Sequence, residues 1–255
     1  MKNELNCKIL EAVTLPSGAV TMTFESNGMA AQIATPGQFV HIKCGDANLL
    51  RRPISICDWS VDHDWIRMVF EDRGEGTHWL SQRKVGETLD VLGPLGHGFT
   101  MTPEGRYLLV GGGIGVPPML GCAMHGGHDN VAILGFRSQQ NTMLLDDFSK
   151  VCAGVRLATD DGSLGHHGFV DALVRQELEK DNGFAAVLAC GPKPMLRNVA
   201  RVAEEFGVSC QVSMEERMGC GICACLVCAC KTNDGHQKHA CKDGPEFDSK
   251  EVDWE

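Results

Sequence analysis

The chain has 255 residues, 43% of them hydrophobic, and a formal charge of −10. That length and composition suit one large folded domain or two to three small ones, and the acidic balance argues against a nucleic-acid binder, which neutralises phosphates with basic patches. Aromatic residues make up 6% with a single Tyr, which disfavours a stacking platform for single strands, and thirteen cysteines are an odd count for a secreted disulfide framework.

Met1 to Asn6 form no apolar signal core, so a reducing, cytoplasmic setting is expected, in which cysteines are core residues or metal ligands. The first hundred residues read as short strands: Asn6 to Leu15, Ala19 to Glu25, Gln38 to Cys44, Ile54 to Asp58, Trp65 to Glu71 and Glu87 to Leu92. Pro16-Ser17-Gly18, Pro36-Gly37 and Gly93-Pro94-Leu95-Gly96 punctuate them as turns. This spacing predicts an antiparallel sandwich or closed barrel. Within it, Arg51-Arg52-Pro53-Ile54-Ser55 reads either as a surface Arg pair before a strand or as a diphosphate clamp at Arg52 with a ring-binding hydroxyl at Ser55. Thr77, after Gly74-Glu75-Gly76, is expected to N-cap a helix over His78 to Arg83 and so to offer a helix N-terminus to phosphate.

From Arg106 the period changes. Apolar runs at Tyr107 to Val110, Val131 to Leu134, Val155 to Ala158, Ala185 to Ala189 and Val208 to Val212 alternate with helical segments after Pro117, Leu144, Gly168 and Lys193, which predicts a parallel α/β sheet. Tyr107 to Met124 is uncharged and long enough for a short membrane span. Its five glycines and two prolines favour a strand, a turn and a helix instead, and no membrane partner is expected.

Gly111-Gly112-Gly113-Ile114-Gly115-Val116-Pro117-Pro118 follows the first of these strands. It is either a tight turn or a dinucleotide site whose glycines admit a diphosphate to the next helix N-terminus; Val116 stands where the full fingerprint has its last glycine. Arg137 follows the next strand and suits either an adenosine ribose or a 2′-phosphate, which leaves NAD and NADP open. Cys190-Gly191-Pro192 ends a later strand at the edge where such sheets bind ligands. Cys190 there is either a small buried residue or a thiol facing nicotinamide.

Seven cysteines are scattered from Cys7 to Cys210, and six crowd into the tail: Cys220, Cys223, Cys225, Cys228, Cys230 and Cys241. Cys220, Cys225, Cys228 and the distant Cys241 have the C-x4-C-x2-C…C spacing of a plant-type [2Fe–2S] cluster. A zinc site is the competing reading, but one residue between Cys223 and Cys225 is a short spacer for two zinc pairs. Cys223 and Cys230 are then surplus. His97, His166, His167 and His236 lie in glycine-rich turns and read as solvated loop residues.

Together these segments resemble the ferredoxin–NADP reductase superfamily and, within it, the electron-transfer subunits of NAD-dependent (type B) dihydroorotate dehydrogenases. The residues that carry this include Arg52 to Ser55, Gly93 to Gly96, Gly111 to Pro118, Asp161 to His166, Cys190 to Met195, Glu215 to Met218 and Cys241 to Pro245. The resemblance implies a flavin-binding β-barrel over residues 1–101, an NAD-binding α/β domain over 102–213 and a [2Fe–2S] module over 214–255. It implies FAD on Arg52, Pro53, Ile54, Ser55, Val69, Phe70, Glu71, Gly76 and Thr77, with NAD at Gly111, Gly112, Gly113, Gly115, Arg137, Cys190, Gly191 and Pro192. The cluster would rest on Cys220, Cys225, Cys228 and Cys241, with Cys223 where the family pattern has a glycine. The implied partner is an FMN-containing catalytic subunit that oxidises dihydroorotate in pyrimidine biosynthesis, in a heterotetramer of two copies of each. The alternatives are the similar small subunit of electron-bifurcating NADPH–ferredoxin reductases and sulfide dehydrogenases, and a zinc-stabilised redox-sensing module.

Overall fold

The structure is a computed structural model that describes residues 3–180 and 183–255. Six antiparallel strands close a barrel: β1 (Asn3–Thr14), β2 (Val20–Glu25), β3 (Phe39–Ile42), β4 (Arg52–Ser60), β5 (Trp65–Phe70) and β6 (Thr88–Leu95), in the spatial order β1-β2-β5-β4-β3-β6. Alternation fills its interior with Ile9, Met22, Phe24, Val40, Ile42, Ile56, Ile66, Met68 and Phe70. Full burial of a side chain such as Phe24 contributes about 1.5–3 kcal/mol. Closure leaves no free strand edge, and α1 (Glu75–Ser81) follows β5.

Two expectations for this region are corrected. Gly93 to Leu95 do not turn but continue β6 to the barrel's end, where Leu95 pairs with Phe39. Thr77 is not the N-cap: Gly74, in extended backbone, starts the helix three residues earlier than predicted, and Thr77 lies in its first turn, where its hydroxyl accepts the N–H groups of Arg73 (2.9 Å) and Gly74 (3.1 Å).

The second half is a doubly covered sheet. Strands β7 (Tyr107–Gly112), β8 (Val131–Phe136), β9 (Gly154–Thr159), β10 (His166–His167), β11 (Ala186–Cys190) and β12 (Cys210–Ser213) run parallel. Helices α2 (Val116–His125) and α3 (Leu145–Val151) cover the face toward the barrel, and α4 (Val170–Lys180) and α5 (Lys193–Glu205) cover the other. The glycine-rich stretch from Tyr107 is thus strand, turn and helix. Among the described residues no helix is long and apolar enough to cross a membrane. His166 and His167 form the edge strand β10 rather than a turn.

The tail contains a small hairpin, β13 (Ala229–Lys231) with β14 (Gln237–His239), and β15 (Glu246–Asp248), which joins the large sheet antiparallel to β12. Its Cys228, Cys230, Ala240, Cys241, Phe247 and Val252 share one core with α4, α5 and the barrel residues Phe39, Leu92 and Leu95. The last 40 residues are therefore wedged between the barrel and the sheet. Polar ties cross the other seam: Arg67 pairs with Asp147 at 3.2 Å, and His125, stacked on Trp59, meets Asp58 at 2.7 Å.

Candidate functional site

Arg52 to Ser55 start β4 on the partly exposed side of the barrel, antiparallel to Phe39 to Ile42. The Arg52 guanidinium donates to Asn48 Oδ1 at 3.2 Å and lies across the first turn of α1, where a Cβ on Gly76 would fall 2.6 Å from its Cζ. The absent side chain lets a fixed cation sit against backbone N–H groups, a combination that suits a diphosphate. Val69 and Phe70 turn their side chains into the cores and pair with Thr21 and Val20 of β2, and half-buried Glu71 pairs with Arg73. The structure thus brings Arg52, Gly76 and Thr77 together beside the end of β5.

The carboxyl edge of the sheet holds the second group. Gly111 is in register with Cys190, and Gly112 with Gly135 two residues before exposed Arg137. Gly115 packs so closely on the β11 end that a Cβ there would lie 2.5 Å from the Cys190 carbonyl carbon and 2.7 Å from the Gly191 nitrogen. Gly113 has φ +54° and faces open space. Burial pushes the Cys190 thiol up to about 12, and the Glu246 carboxyl adds to this.

Two neighbours of Cys190 escape sequence reasoning. Register aligns Cys190, Ser213 and Glu246 across β11, β12 and β15, with the Ser213 hydroxyl donating to Glu246 Oε1 at 3.1 Å. Glu246 Oε2 is buried without a partner, and burial holds this carboxyl well above the usual carboxylate range, only partly offset by Ser213. No local signal marks either residue.

The tail cysteines form two pairs of free thiols, Cys220 beside Cys225, whose N–H points at the Cys220 sulfur, and Cys228 beside Cys241, whose N–H donates to Cys228 Sγ at 3.5 Å. Backbone N–H groups surround them. Ala224 N donates to Cys220 Sγ at 3.1 Å, Ile222 and Cys225 N donate to the same sulfur at 3.4 Å, and Cys223 N donates to Cys241 Sγ at 3.1 Å. Burial raises the Cys220 thiol, but these donors outweigh it and bring it down to about 7. Paired thiols lined by amides fit a dinuclear cluster, which needs two thiolates on each iron and donors toward its sulfurs. Among the described residues no three His, Cys, Asp or Glu groups converge as a site for a single ion. Cys230 lies outside the pairs in the core, where burial pushes it up to about 12. Cys223 has φ +61°, the left-handed backbone that suits a glycine.

This loop lies over the barrel strand β3, next to Arg52–Ser55. A Cβ on Gly221 would be 2.7 Å from His41 Nδ1 and 3.0 Å from Leu95 Cδ1, and His41 is in register with Pro53. Burial, with Arg51 adding, lowers the His41 ring to about 4.

Residues 215–253 match the family model of the iron–sulfur cluster binding domain of dihydroorotate dehydrogenase B. The chain is 37% identical to the dihydroorotate dehydrogenase B (NAD(+)) electron transfer subunit of Desulforamulus reducens over 100% of both chains. It is 41% identical to the subunit of that name from Geobacillus thermodenitrificans, over 89% of this chain and 90% of the other. Among solved structures, that of an NADH-dependent reduced ferredoxin–NADP oxidoreductase, determined for flavin-based electron bifurcation, matches with a TM-score of 0.87 and 32% identity over 100% of this chain and 92% of its own. The ferredoxin reductase of carbazole 1,9a-dioxygenase shares the fold, with a TM-score of 0.69 and 20% identity over 81% and 66%.

Fold and site define a flavin-dependent, iron–sulfur oxidoreductase subunit linked to a pyridine nucleotide. The chain belongs to the family of dihydroorotate dehydrogenase B electron transfer subunits.

Proposed function

We propose that this chain carries electrons from a catalytic subunit that oxidises dihydroorotate to NAD+, in pyrimidine biosynthesis. The observation that supports this most is that the loop bearing Cys220, Cys225 and Cys228 packs, at Gly221, on the outer face of the barrel strand next to Arg52–Ser55. When bound, a [2Fe–2S] cluster supplies one-electron transfer and FAD joins single electrons to hydride transfer at nicotinamide. The polypeptide does the rest. Arg52 and the first turn of α1 hold a diphosphate, Ser55 and the backbone of Val69 to Glu71 orient the flavin ring, and Gly111 to Gly115 with Arg137 and Cys190 to Pro192 receive the nucleotide. The units 1–101, 102–213 and 214–255 divide these tasks.

The partner in this reading is an FMN-containing catalytic subunit, two copies of each chain making a heterotetramer. Ile222, Leu226 and Val227, each at least half exposed, rim the thiols, and Leu49, 96% exposed, precedes β4; apolar side chains where electrons enter suit a protein partner. The match to the bifurcating reductase favours a second reading, in which the same chain serves a different large subunit.

Affinity purification of the native complex decides between them: an FMN-bearing dihydroorotate-oxidising partner supports the first, and a larger iron–sulfur flavoprotein overturns it. Cys225→Ser is expected to abolish the cluster and dihydroorotate-linked turnover while NADH still reduces FAD with an artificial acceptor, and Cys230→Ser to do neither. The reverse pattern in iron content and diaphorase assays would overturn the ligand assignment.

A further inference from the structure

His41 sits in the middle of β3, whose side chains alternate. Val40 and Ile42 enter the barrel core, whereas Phe39 and His41 face outward, beneath the tail. The His41 ring is 0% exposed, and neither Nδ1 nor Nε2 completes a hydrogen bond, although the carbonyls of Arg51 and Cys220 lie nearby. Leaving a buried polar group unpaired is destabilising, and an apolar residue of similar size would fill this place without that cost.

The surroundings show where a partner would come from. On one side the strand register places Pro53 of β4 opposite His41, with Leu92 of β6 on the other flank. Above the ring lies Gly221, whose missing side chain admits the imidazole to the backbone directly after Cys220; a Cβ there would be 2.7 Å from Nδ1. The ring therefore stands between the flavin-side strand and the thiol-bearing loop. A neutral imidazole has one N–H to donate, and hydrogen bonds to cluster sulfurs raise the reduction potential of the cluster.

We propose that His41 donates a hydrogen bond to a sulfur of the [2Fe–2S] cluster held by Cys220, Cys225, Cys228 and Cys241, tuning its potential toward that of the flavin beside Pro53. This rests on the ligand reading given above. It assigns a redox-tuning role to a barrel residue 179 positions before the first cluster cysteine.

The test uses the full chain in complex with its catalytic partner, as wild type, His41→Leu and His41→Gln. Iron, acid-labile sulfide and FAD are measured first, followed by an EPR-monitored redox titration. All three proteins are expected to hold a full cluster; the midpoint of His41→Leu moves to more negative potential, and His41→Gln, which retains an N–H donor, recovers part of the shift. Pulsed EPR of wild type with 15N-labelled histidine is expected to show a weak nitrogen coupling to the reduced cluster that His41→Gln lacks, a readout that stands even if the Leu variant fails to fold. A loaded cluster with an unmoved midpoint in His41→Leu, or no histidine coupling in wild type, overturns the role of His41 alone. Wild type without iron and sulfide would instead overturn the ligand reading and the proposal with it.

Discussion

Glu246 is a carboxyl enclosed by Ser213, the backbone of Gly37 and the ring of Phe99, with one oxygen unpartnered. Its folded-state pKa is raised, so the folded protein binds a proton that the unfolded chain has released, and stability falls as pH rises above the ordinary carboxylate range. Glu246→Gln is therefore expected to match wild type below about pH 4 and to become the more stable protein toward neutral pH, the gap opening by up to about 1.4 kcal/mol per pH unit until the folded carboxyl ionises. Denaturant titrations at pH 4, 6 and 8 check this; a gap that closes with rising pH contradicts it. At Cys223 the left-handed backbone costs a side-chain-bearing residue about 1–2 kcal/mol. Cys223→Gly should keep iron and sulfide unchanged and raise the denaturation midpoint modestly, whereas loss of cluster would make Cys223 a ligand. Residue-scale chemistry was legible in the sequence only where spacing is local. Cys220, Cys225 and Cys228 announce themselves within nine residues, while Glu246, Ser213 and His41 gain meaning only from strands that meet through the fold.

Most elements follow from local pattern, because burial of one face forces period two in strands and about 3.6 in helices. The exceptions are instructive. Gly93 and Pro94 carry turn chemistry, yet β3 and β1 supply pairing partners that draw them into β6. Thr77 is a good capping residue, but extended Gly74 begins the helix and leaves the Thr77 hydroxyl to the Arg73–Gly74 loop. Two elements can be tested directly. Gly115→Ala would push a Cβ into the Cys190–Gly191 backbone, so it should cost about 1–3 kcal/mol in denaturant unfolding and raise KM for NADH without changing FAD content. Arg51 ties β1, β3 and β6 through Glu4 (2.8 Å), Asp90 (2.8 Å) and the carbonyls of His41 and Asp90. Arg51→Leu should loosen barrel closure by about 1–3 kcal/mol, read as a lowered urea midpoint and faster amide exchange in β3 and β6.

For the whole molecule, the tail is anchored at both ends of its loop. Met214 N donates to the Pro245 carbonyl, His97 N donates to the Gly244 carbonyl, and β15 extends the sheet beyond β12. Iron removal should therefore raise amide exchange over residues 219–228 while β15 and the barrel stay protected; global loss of protection would show that the cluster holds the fold together. The sequence by itself determined the barrel-then-α/β order, the phosphate-suited glycines and the thiol spacing, since each is written in contiguous residues whose period or chemistry is local. Only the tertiary structure decided that the cysteine-rich tail is a wedge rather than an appendage, that its loop rests on His41, and that Glu246 completes a row with Ser213 and Cys190. Those contacts join positions far apart in the chain, such as His41 and Gly221, 180 residues away, and depend on strand order and shared core packing, which no local pattern encodes.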